Sequence, residues 1–213
     1  MARSRSSGRW LSRHVADPYV RRARGEGYRS RAAYKLLEID RDERLLRPGA
    51  KVVDLGAAPG SWSQIAAQKV KPRGTVIAAD LLEIAPLAGV TTIQGDIREA
   101  SIQERIVQAL AGEKADVVLS DVSPNVSGIA SADQARAAEL ARTAIDFSVA
   151  HLKPSGALLL KAFHGEEFDA VRGALKETFR EVRVLKPAAS RGESRETYLI
   201  ARGLNPAAAP SNR

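Results

Sequence analysis

Four aspartates lie at or near the ends of strand-like segments, where carboxylates could bind a ligand with hydroxyl groups and a positive charge. Asp54 lies near the end of one apolar run, Asp80 and Asp121 end two others, and Asp96 follows a fourth. Ligands of open α/β sheets bind outside the carboxyl ends of the strands, so these side chains should meet at one edge. A single aspartate there often only caps a turn. Four in register favour a ligand site.

A glycine-rich loop follows the first of these runs, with the sequence Asp-Leu-Gly-Ala-Ala-Pro-Gly-Ser-Trp over residues 54–62. Gly56 and Gly60 allow close approach of the backbone to a ligand, and proline stiffens the turn. The loop differs from the G-x-G-x-x-G turn that receives a pyrophosphate, and it suits a nucleoside with an amino-acid tail. Asp80 is placed to accept hydrogen bonds from a ribose diol, and Asp96 to contact an adenine edge.

The chain pattern predicts the sheet that would position these residues. Short apolar runs indicate seven strands, at 51–56, 75–80, 91–94, 115–121, 157–161, 181–185 and 196–201. Helical patterns occupy 32–39, 61–70, 101–111, 132–151 and 167–179. No helix separates the last two strands, so they should pair antiparallel across the turn near 187–193. The alternation predicts a three-layer α/β sheet.

The charge of the chain is concentrated at its start. The 213 residues carry 33 Lys and Arg against 25 Asp and Glu, a net charge of +8. The whole surplus lies in residues 1–35, together with Trp10, Tyr19, Tyr28 and Tyr34. The positive charges could bind a polyanion such as nucleic acid, and the aromatic rings could stack on its bases. The alternative is a disordered, solubilising arm, but the helical pattern of 32–39 indicates that its end is folded.

Composition excludes several classes of protein. The chain has no cysteine, which excludes a disulfide scaffold and a thiolate nucleophile and suits a reducing compartment; we expect the cytoplasm. No apolar run reaches the roughly 20 residues of a membrane span, so no membrane is expected. His14, His151 and His164 lack the spacing of metal ligands, so we expect no metal.

Several segments resemble motifs of the FtsJ/RrmJ type of S-adenosylmethionine-dependent methyltransferases. The resemblance runs from about residue 6 to 203, nearly the whole chain, and its motifs lie at 7–11, 17–20, 28–36, 54–64, 120–128, 160–165 and 194–199. The resemblance implies a Rossmann-like class I methyltransferase fold of seven mostly parallel strands, the last one antiparallel. It also implies S-adenosylmethionine as cofactor, and transfer of methyl to a uridine 2′-hydroxyl of 23S ribosomal RNA. The partner would be ribosomal RNA or the large ribosomal subunit, and the protein a monomer.

The resemblance also assigns site residues and a division of the chain. The family's catalytic set falls on Lys35, Asp121, Lys161 and Glu196, and its cofactor contacts fall on Gly60, Trp62, Asp80, Asp96 and Asp121. Residues 1–30 would be a basic RNA-binding arm, 31–203 the methyltransferase domain and 204–213 a disordered tail. Deletion of residues 1–30 is expected to abolish activity on RNA and to spare cofactor binding.

The catalytic set suits deprotonation of a ribose hydroxyl. A lysine acts as a base only if burial or a neighbouring cation lowers its pKa. Our hypothesis makes Lys161 the base, oriented by Asp121, while Lys35 supplies the neighbouring charge and Glu196 positions Lys35 or the ribose. Lys161 and Glu196 could instead be an ordinary cross-strand ion pair. Trp62 could pack on the cofactor or belong to the core.

Three other functions remain open from the sequence. Related enzymes methylate transfer RNA or messenger caps with the same four residues. A non-catalytic RNA-binding protein would bind RNA without S-adenosylmethionine. A small-molecule methyltransferase is a further alternative, although it would not need eight excess charges at the start of its chain.

Overall fold

The computed structural model describes residues 17–124, 127–190 and 194–206. These ranges contain seven strands, β1 Lys51–Leu55, β2 Thr75–Asp80, β3 Val90–Gln94, β4 Ala115–Ser120, β5 Leu152–Phe163, β6 Phe179–Leu185 and β7 Glu196–Leu204. Their helices are α1 Pro18–Gly25, α2 Ala32–Glu43, α3 Ser61–Lys69, α4 Ala100–Ala109, α5 Ala130–His151 and α6 Phe168–Thr178. Trp10, His14, Asn125, Val126 and most of the predicted tail lie outside the described residues.

The strands form one sheet in the order β3-β2-β1-β4-β5-β7-β6. Neighbours from β3 through β5 pair parallel, whereas β7 pairs antiparallel with both β5 and β6. This confirms the predicted mostly parallel sheet with an antiparallel last strand. The chain reverses its direction of travel across the sheet between β1 and β4, which is the switch point where ligands of such folds bind.

Helices cover both faces of the sheet. Alternate side chains of its central strands belong to two apolar clusters, one on each face. Val53 and Leu158 face a cluster that includes residues of α4, α5 and α6. Val52 and Leu159 face a second cluster that includes residues of α2 and α3. Alternate side chains of a strand point to opposite faces, and strands buried on both sides read as continuous apolar runs. The predicted three-layer architecture is therefore confirmed.

Helix α1 lies within the segment predicted to be an RNA-binding arm, and the apolar pattern did not indicate it. Asp17 precedes the helix and its carboxylate accepts the Tyr19 N–H at 3.0 Å, while Pro18 occupies the first turn. Both residue types favour a helix start at these positions. Val20 and Ala23 are buried. The segment from residue 17 onward is thus folded onto the domain.

Three tyrosines of this segment pack against one another. The Tyr34 ring centroid lies 5.4 Å from that of Tyr19 and 5.5 Å from that of Tyr28. Tyr34 is buried and its hydroxyl donates to Glu26 at 2.9 Å. Burial raises the pKa of Tyr34 to about 12. Its ring therefore serves the fold and is not exposed for stacking on a base.

Strand β5 is longer than its apolar run, which spans 157–161. It extends to Phe163, which pairs with Glu196 of β7, and begins at Leu152, which pairs with Ala115 of β4.

Among the helices of the described residues, none combines the length and apolar character needed to cross a lipid bilayer. The same ranges contain no cluster of His, Asp or Glu side chains that could hold a metal ion.

Candidate functional site

An open cleft of about 550 Å³ lies at the carboxyl edge of the sheet, beside the switch point. Gly56 and Ala58 of the glycine loop, Asp80 after β2 and Asp121 after β4 are among its lining residues. Leu81 and Leu82 also line it and remain 62% and 67% exposed. The cleft therefore combines carboxylates with an apolar wall, as a nucleoside ligand requires.

Two glycines of the loop are in conformations that other residues rarely adopt. Gly56 has φ +70°, and a Cβ there would lie 2.5 Å from the Cβ of Val122. Gly60 has φ +100° and immediately precedes α3. A Cβ at Gly60 would lie 2.9 Å from Leu87 Cδ1 and 3.0 Å from Arg29 Nη1. Glycine is needed at both positions because the loop passes so close to its neighbours.

Asp80 holds together the two loops that flank the cleft. One carboxylate oxygen accepts the Ala58 N–H at 2.9 Å and the other accepts the Leu82 N–H at 2.8 Å. Each carboxylate oxygen has two lone pairs, so both can accept a further bond from a ribose hydroxyl. Asp80 lines the cleft, and the ribose-binding role that its spacing predicts stays a prediction.

Asp96 lies beside the cleft, and its carboxylate is bound by Arg98. The guanidinium donates from Nε to Oδ1 at 3.0 Å and from Nη2 to Oδ2 at 2.6 Å. These bonds hold the pKa of the Asp96 carboxyl below its usual range. Arg98, not Asp96, is among the residues that line the cleft. The adenine contact predicted for Asp96 therefore remains a prediction.

The side chain of Trp62 belongs to the core between the sheet, α2 and α3. It is 2% exposed, and its Nε1 donates to the Ala32 carbonyl at 2.9 Å. Its ring centroid lies 5.7 Å from that of Tyr198. Of the two interpretations of the indole, the structure favours the core. A cofactor contact at this position would then use the backbone at the start of α3.

Asp54 lies within β1, beneath the loop, and does not line the cleft. Its Oδ2 accepts the Ser63 hydroxyl at 2.6 Å, whereas its Oδ1 is buried without a hydrogen-bond partner. Burial raises the pKa of the Asp54 carboxyl to about 7, and the nearby charges of Asp121 and Asp80 act in the same direction. The structure thus separates Asp54 from the other strand-end acids.

Lys161 and Asp121 form a partly buried pair beside the cleft. The Lys161 Nζ donates to the Asp121 carbonyl at 2.7 Å and lies 3.1 Å from Asp121 Oδ1. The lysine side chain is only 6% exposed. The strand register explains this contact. Ser120 of β4 pairs with Leu160 of β5, and Asp121 and Lys161 are the residues that follow them.

Lys35 and Glu196 form a second partly buried pair. The Lys35 Nζ lies 2.7 Å from one Glu196 carboxylate oxygen and 2.8 Å from the other. Burial opposes ionisation of Glu196, but Lys35 and then Lys161 outweigh it and hold its pKa below the usual range. Lys35 lies in the first turn of α2, and Glu196 begins β7, which starts at the carboxyl edge because β7 runs antiparallel to β5.

Tyr198 lies between the two pairs, and sequence analysis did not identify it. Its hydroxyl donates to Asp121 Oδ1 at 2.9 Å, and the Lys35 Nζ lies 5.7 Å from its ring centroid. Burial and the nearby carboxylates raise its pKa, so the phenol keeps its proton. The alternation of side chains along a strand could have identified it, since Tyr198 is two residues after Glu196 and points to the same face.

Ser190 contacts Glu196, one of the four predicted catalytic residues, and the sequence did not identify it either. Its hydroxyl donates to Glu196 Oε1 at 3.1 Å from the loop between β6 and β7. Nothing in its local sequence signals this contact, which depends on the fold of that loop. Together the contacts bring Lys35, Asp121, Lys161 and Glu196 into one cluster beside the cleft, an arrangement that can take a proton from a hydroxyl and stabilise cationic ligands.

The predicted RNA-binding arginines differ in their environments. Arg21 and Arg24 are exposed on α1. The Arg31 Nη1 lies 2.8 Å from an Asp17 carboxylate oxygen, and its Nη2 donates to the Ala189 carbonyl. Arg29 also contacts backbone carbonyls of the domain. Only some of these side chains are therefore presented to a ligand outside the protein.

Comparisons with known proteins agree with this geometry. Residues 28–204 match the model of the FtsJ-like methyltransferase family. The chain is 56% identical over 182 residues to ribosomal RNA large subunit methyltransferase E of Verminephrobacter eiseniae, covering 85% of this chain and 75% of that protein. It is 52% identical over 191 residues to the protein of the same name from Azoarcus sp., covering 90% and 93%.

A solved structure has the same fold. It belongs to a predicted ribosomal RNA methyltransferase of Plasmodium falciparum, which is 28% identical to this chain with a TM-score of 0.75. The alignment covers 83% of this chain and 98% of that one.

Proposed function

The chain belongs to the FtsJ-like methyltransferase family, and from this premise we propose that it methylates a uridine 2′-hydroxyl of 23S ribosomal RNA. The observation that carries the proposal is the partly buried cluster of two lysines, an aspartate and a glutamate beside a cleft suited to a nucleoside. The choice of substrate is supported by two relatives, more than half identical, that are named for the large-subunit RNA.

The lining of the cleft suits S-adenosylmethionine. In our proposal Asp80 accepts the ribose hydroxyls, the exposed faces of Leu81 and Leu82 cover the adenine, and Asp121 lies near the positive sulfur. Gly60, Trp62 and Asp96 would contribute through the loop backbone and the rim. When bound, the cofactor supplies the methyl group as an electrophile.

Lys161 is the proposed proton acceptor. Its Nζ is oriented by the carbonyl and carboxylate of Asp121, and its burial excludes water that would compete for the proton. Lys35 holds its ammonium group against Glu196 and stabilises the negative charge that develops on the ribose oxygen. Tyr198 fixes the Asp121 carboxylate that faces Lys161.

The basic start of the chain is proposed to hold the RNA. Arg21 and Arg24 are exposed, and four further arginines precede Asp17. Phosphate contacts of this kind give affinity without sequence preference. We keep the division into an arm of residues 1–30, a domain of 31–203 and a tail of 204–213 as part of this proposal. A ribosomal substrate would place the reaction in the cytoplasm, with the protein acting as a monomer on the RNA or the large subunit.

Methylation of purified RNA tests the proposal. RNA from cells that lack the gene would be incubated with the protein and S-adenosylmethionine carrying a labelled methyl group, and 2′-O-methylation mapped by its resistance to alkaline cleavage. We expect one new 2′-O-methyluridine in 23S RNA. Label in transfer RNA alone, in a base, or in no RNA would contradict the proposal. A Lys161→Met and Glu196→Gln double variant is the matched control for a contaminating enzyme.

A further inference from the structure

Hydrogen bonds hold the segment between α1 and α2 against the start of α3. The Gln64 side chain accepts the Arg29 N–H at 3.2 Å and donates to the Gly27 carbonyl at 2.9 Å. The hydroxyls of Ser30 and Ser61 are 2.7 Å apart. These bonds fix the backbone of residues 27–30 against the helix that begins at the glycine loop.

The Arg29 guanidinium joins the two loops that flank the cleft. Its Nη1 donates to the Pro59 carbonyl at 2.8 Å, and its Nη2 donates to the Pro86 carbonyl at 2.9 Å. Pro59 follows Ala58 in the glycine loop, and Pro86 lies in the loop that begins with Leu81 and Leu82. The planar group presents donors in a fixed fork, so it sets the spacing of the two carbonyls.

Both carbonyls belong to loops whose neighbouring residues line the proposed cofactor site. Ala58, Leu81 and Leu82 line the cleft, whereas Arg29 is not among its lining residues. Gly60, the glycine before α3, approaches the same guanidinium so closely that a Cβ would lie 3.0 Å from Nη1. The loop is therefore packed onto Arg29 as well as hydrogen-bonded to it.

We propose that Arg29 is a positioning residue for S-adenosylmethionine, which fixes the width of the cofactor cleft from outside it. The proposal rests on the proposed function, because it assigns the cleft to that cofactor. It gives Arg29 a role within the protein, because each of its terminal nitrogens donates to a carbonyl of the protein. Lys35 lies on α2, which follows this segment, so one stretch of chain positions the cofactor walls and presents a catalytic lysine.

Cofactor binding without RNA tests the proposal directly. Calorimetric titration of S-adenosylmethionine would compare wild-type protein with Arg29→Ala and Arg29→Lys, and with Arg24→Ala as the matched control on exposed α1. We expect a loss of affinity of about tenfold or more for Arg29→Ala, since two hydrogen bonds are removed. Lysine can replace one bond, so Arg29→Lys should fall between Arg29→Ala and wild type. Arg24→Ala should match wild type in its affinity for S-adenosylmethionine, which is measured here without RNA.

Steady-state kinetics on RNA provides a second readout that a general loss of structure would not reproduce. Arg29→Ala should raise KM for the cofactor, keep kcat at saturating cofactor within about twofold, and leave KM for RNA unchanged. Wild-type cofactor affinity with a raised KM for RNA would overturn the proposal and make Arg29 an RNA ligand. If Arg29→Ala does not fold, Arg29→Lys decides, and wild-type cofactor affinity there overturns the proposal.

The proposal changes the expectation for deletion of residues 1–30. That deletion removes Arg29 and Ser30, so it should weaken cofactor binding as well as RNA binding. A protein that binds cofactor normally but methylates no ribosomal RNA would contradict the proposed function and leave the role of Arg29 standing. The two failures are therefore distinguishable.

Discussion

The buried carboxyl of Asp54 differs from the aspartates of the cleft because one of its oxygens has no partner. Its pKa is raised from 3.8 to about 7. Between these values the folded protein binds a proton that the unfolded chain has lost, so the contribution of this group to stability falls as pH rises through that window. Above it the loss persists, because the charge is then buried.

We therefore expect Asp54→Asn to gain stability relative to wild type as pH rises from about 4 to about 8. The gain has an upper bound on the order of 4 kcal/mol. Urea unfolding at a series of pH values would measure it. Asp146→Asn, which removes an exposed carboxylate on α5, is the control. A difference between Asp54→Asn and wild type that does not vary with pH would contradict the interpretation.

At the scale of single residues, the sequence predicted the acids and lysines better than their contacts. Asp80 and Asp121 reach the cleft because strand ends place them there. Tyr198 could have been found from strand alternation. The partners of Arg29 could not, because Pro59 and Pro86 lie 30 and 57 residues along the chain. Only the folded loops bring those carbonyls together.

Helices α2 and α3 are joined by the Trp62 indole, which donates to the Ala32 carbonyl, and by the ion pair between Lys69 and Asp40. Trp62→Phe keeps most of the buried apolar surface and removes that donor. We expect a loss of about 1 kcal/mol in the free energy of unfolding, because the hydrogen bond from the indole to the Ala32 carbonyl is removed. Cofactor affinity should stay within about twofold of wild type.

The same variant separates the two interpretations of Trp62. If the indole packed on the cofactor, calorimetry would show weaker binding of S-adenosylmethionine and urea unfolding would show little change. That combination would contradict its placement in the core.

At the scale of elements, the apolar runs predicted seven strands, most clearly the central ones, which are buried and continuous in sequence. The antiparallel pairing of β6 and β7 was predicted because no helical pattern separates them. Helix α1 escaped prediction because its eight residues include three arginines and only a short apolar face. Asp17 and Pro18 were nevertheless a helix-start signal. The extra length of β5 depends on pairing with β4 and β7, which its own residues do not encode.

The charge of the whole molecule divides at Asp17. Residues 1–16 carry four arginines and no acid, whereas several arginines after this point contact the protein itself. Deletion of residues 1–16 should therefore weaken RNA binding and reduce the salt dependence of binding, by up to ~0.9 in the log–log slope for each lost phosphate contact. Cofactor affinity should not change, because Arg29 and its partners remain.

Filter binding of 23S RNA over a range of salt concentrations would measure the slope for both proteins. An unchanged slope would show that residues 1–16 do not contact RNA phosphates. A loss of cofactor affinity would contradict the assignment of the cofactor walls to the later segment.

If the cluster deprotonates a ribose hydroxyl, methyl transfer to 23S RNA must depend on Lys161, and single-turnover kinetics of Lys161→Met measures this dependence. Lys153→Met is the matched control, because it lies near the opposite end of β5, where its ammonium group contacts Asp116 at 2.7 Å. At saturating cofactor and RNA, we predict a loss of about 10²–10⁴-fold for Lys161→Met and a near wild-type rate for Lys153→Met. A near wild-type rate for Lys161→Met would contradict the account.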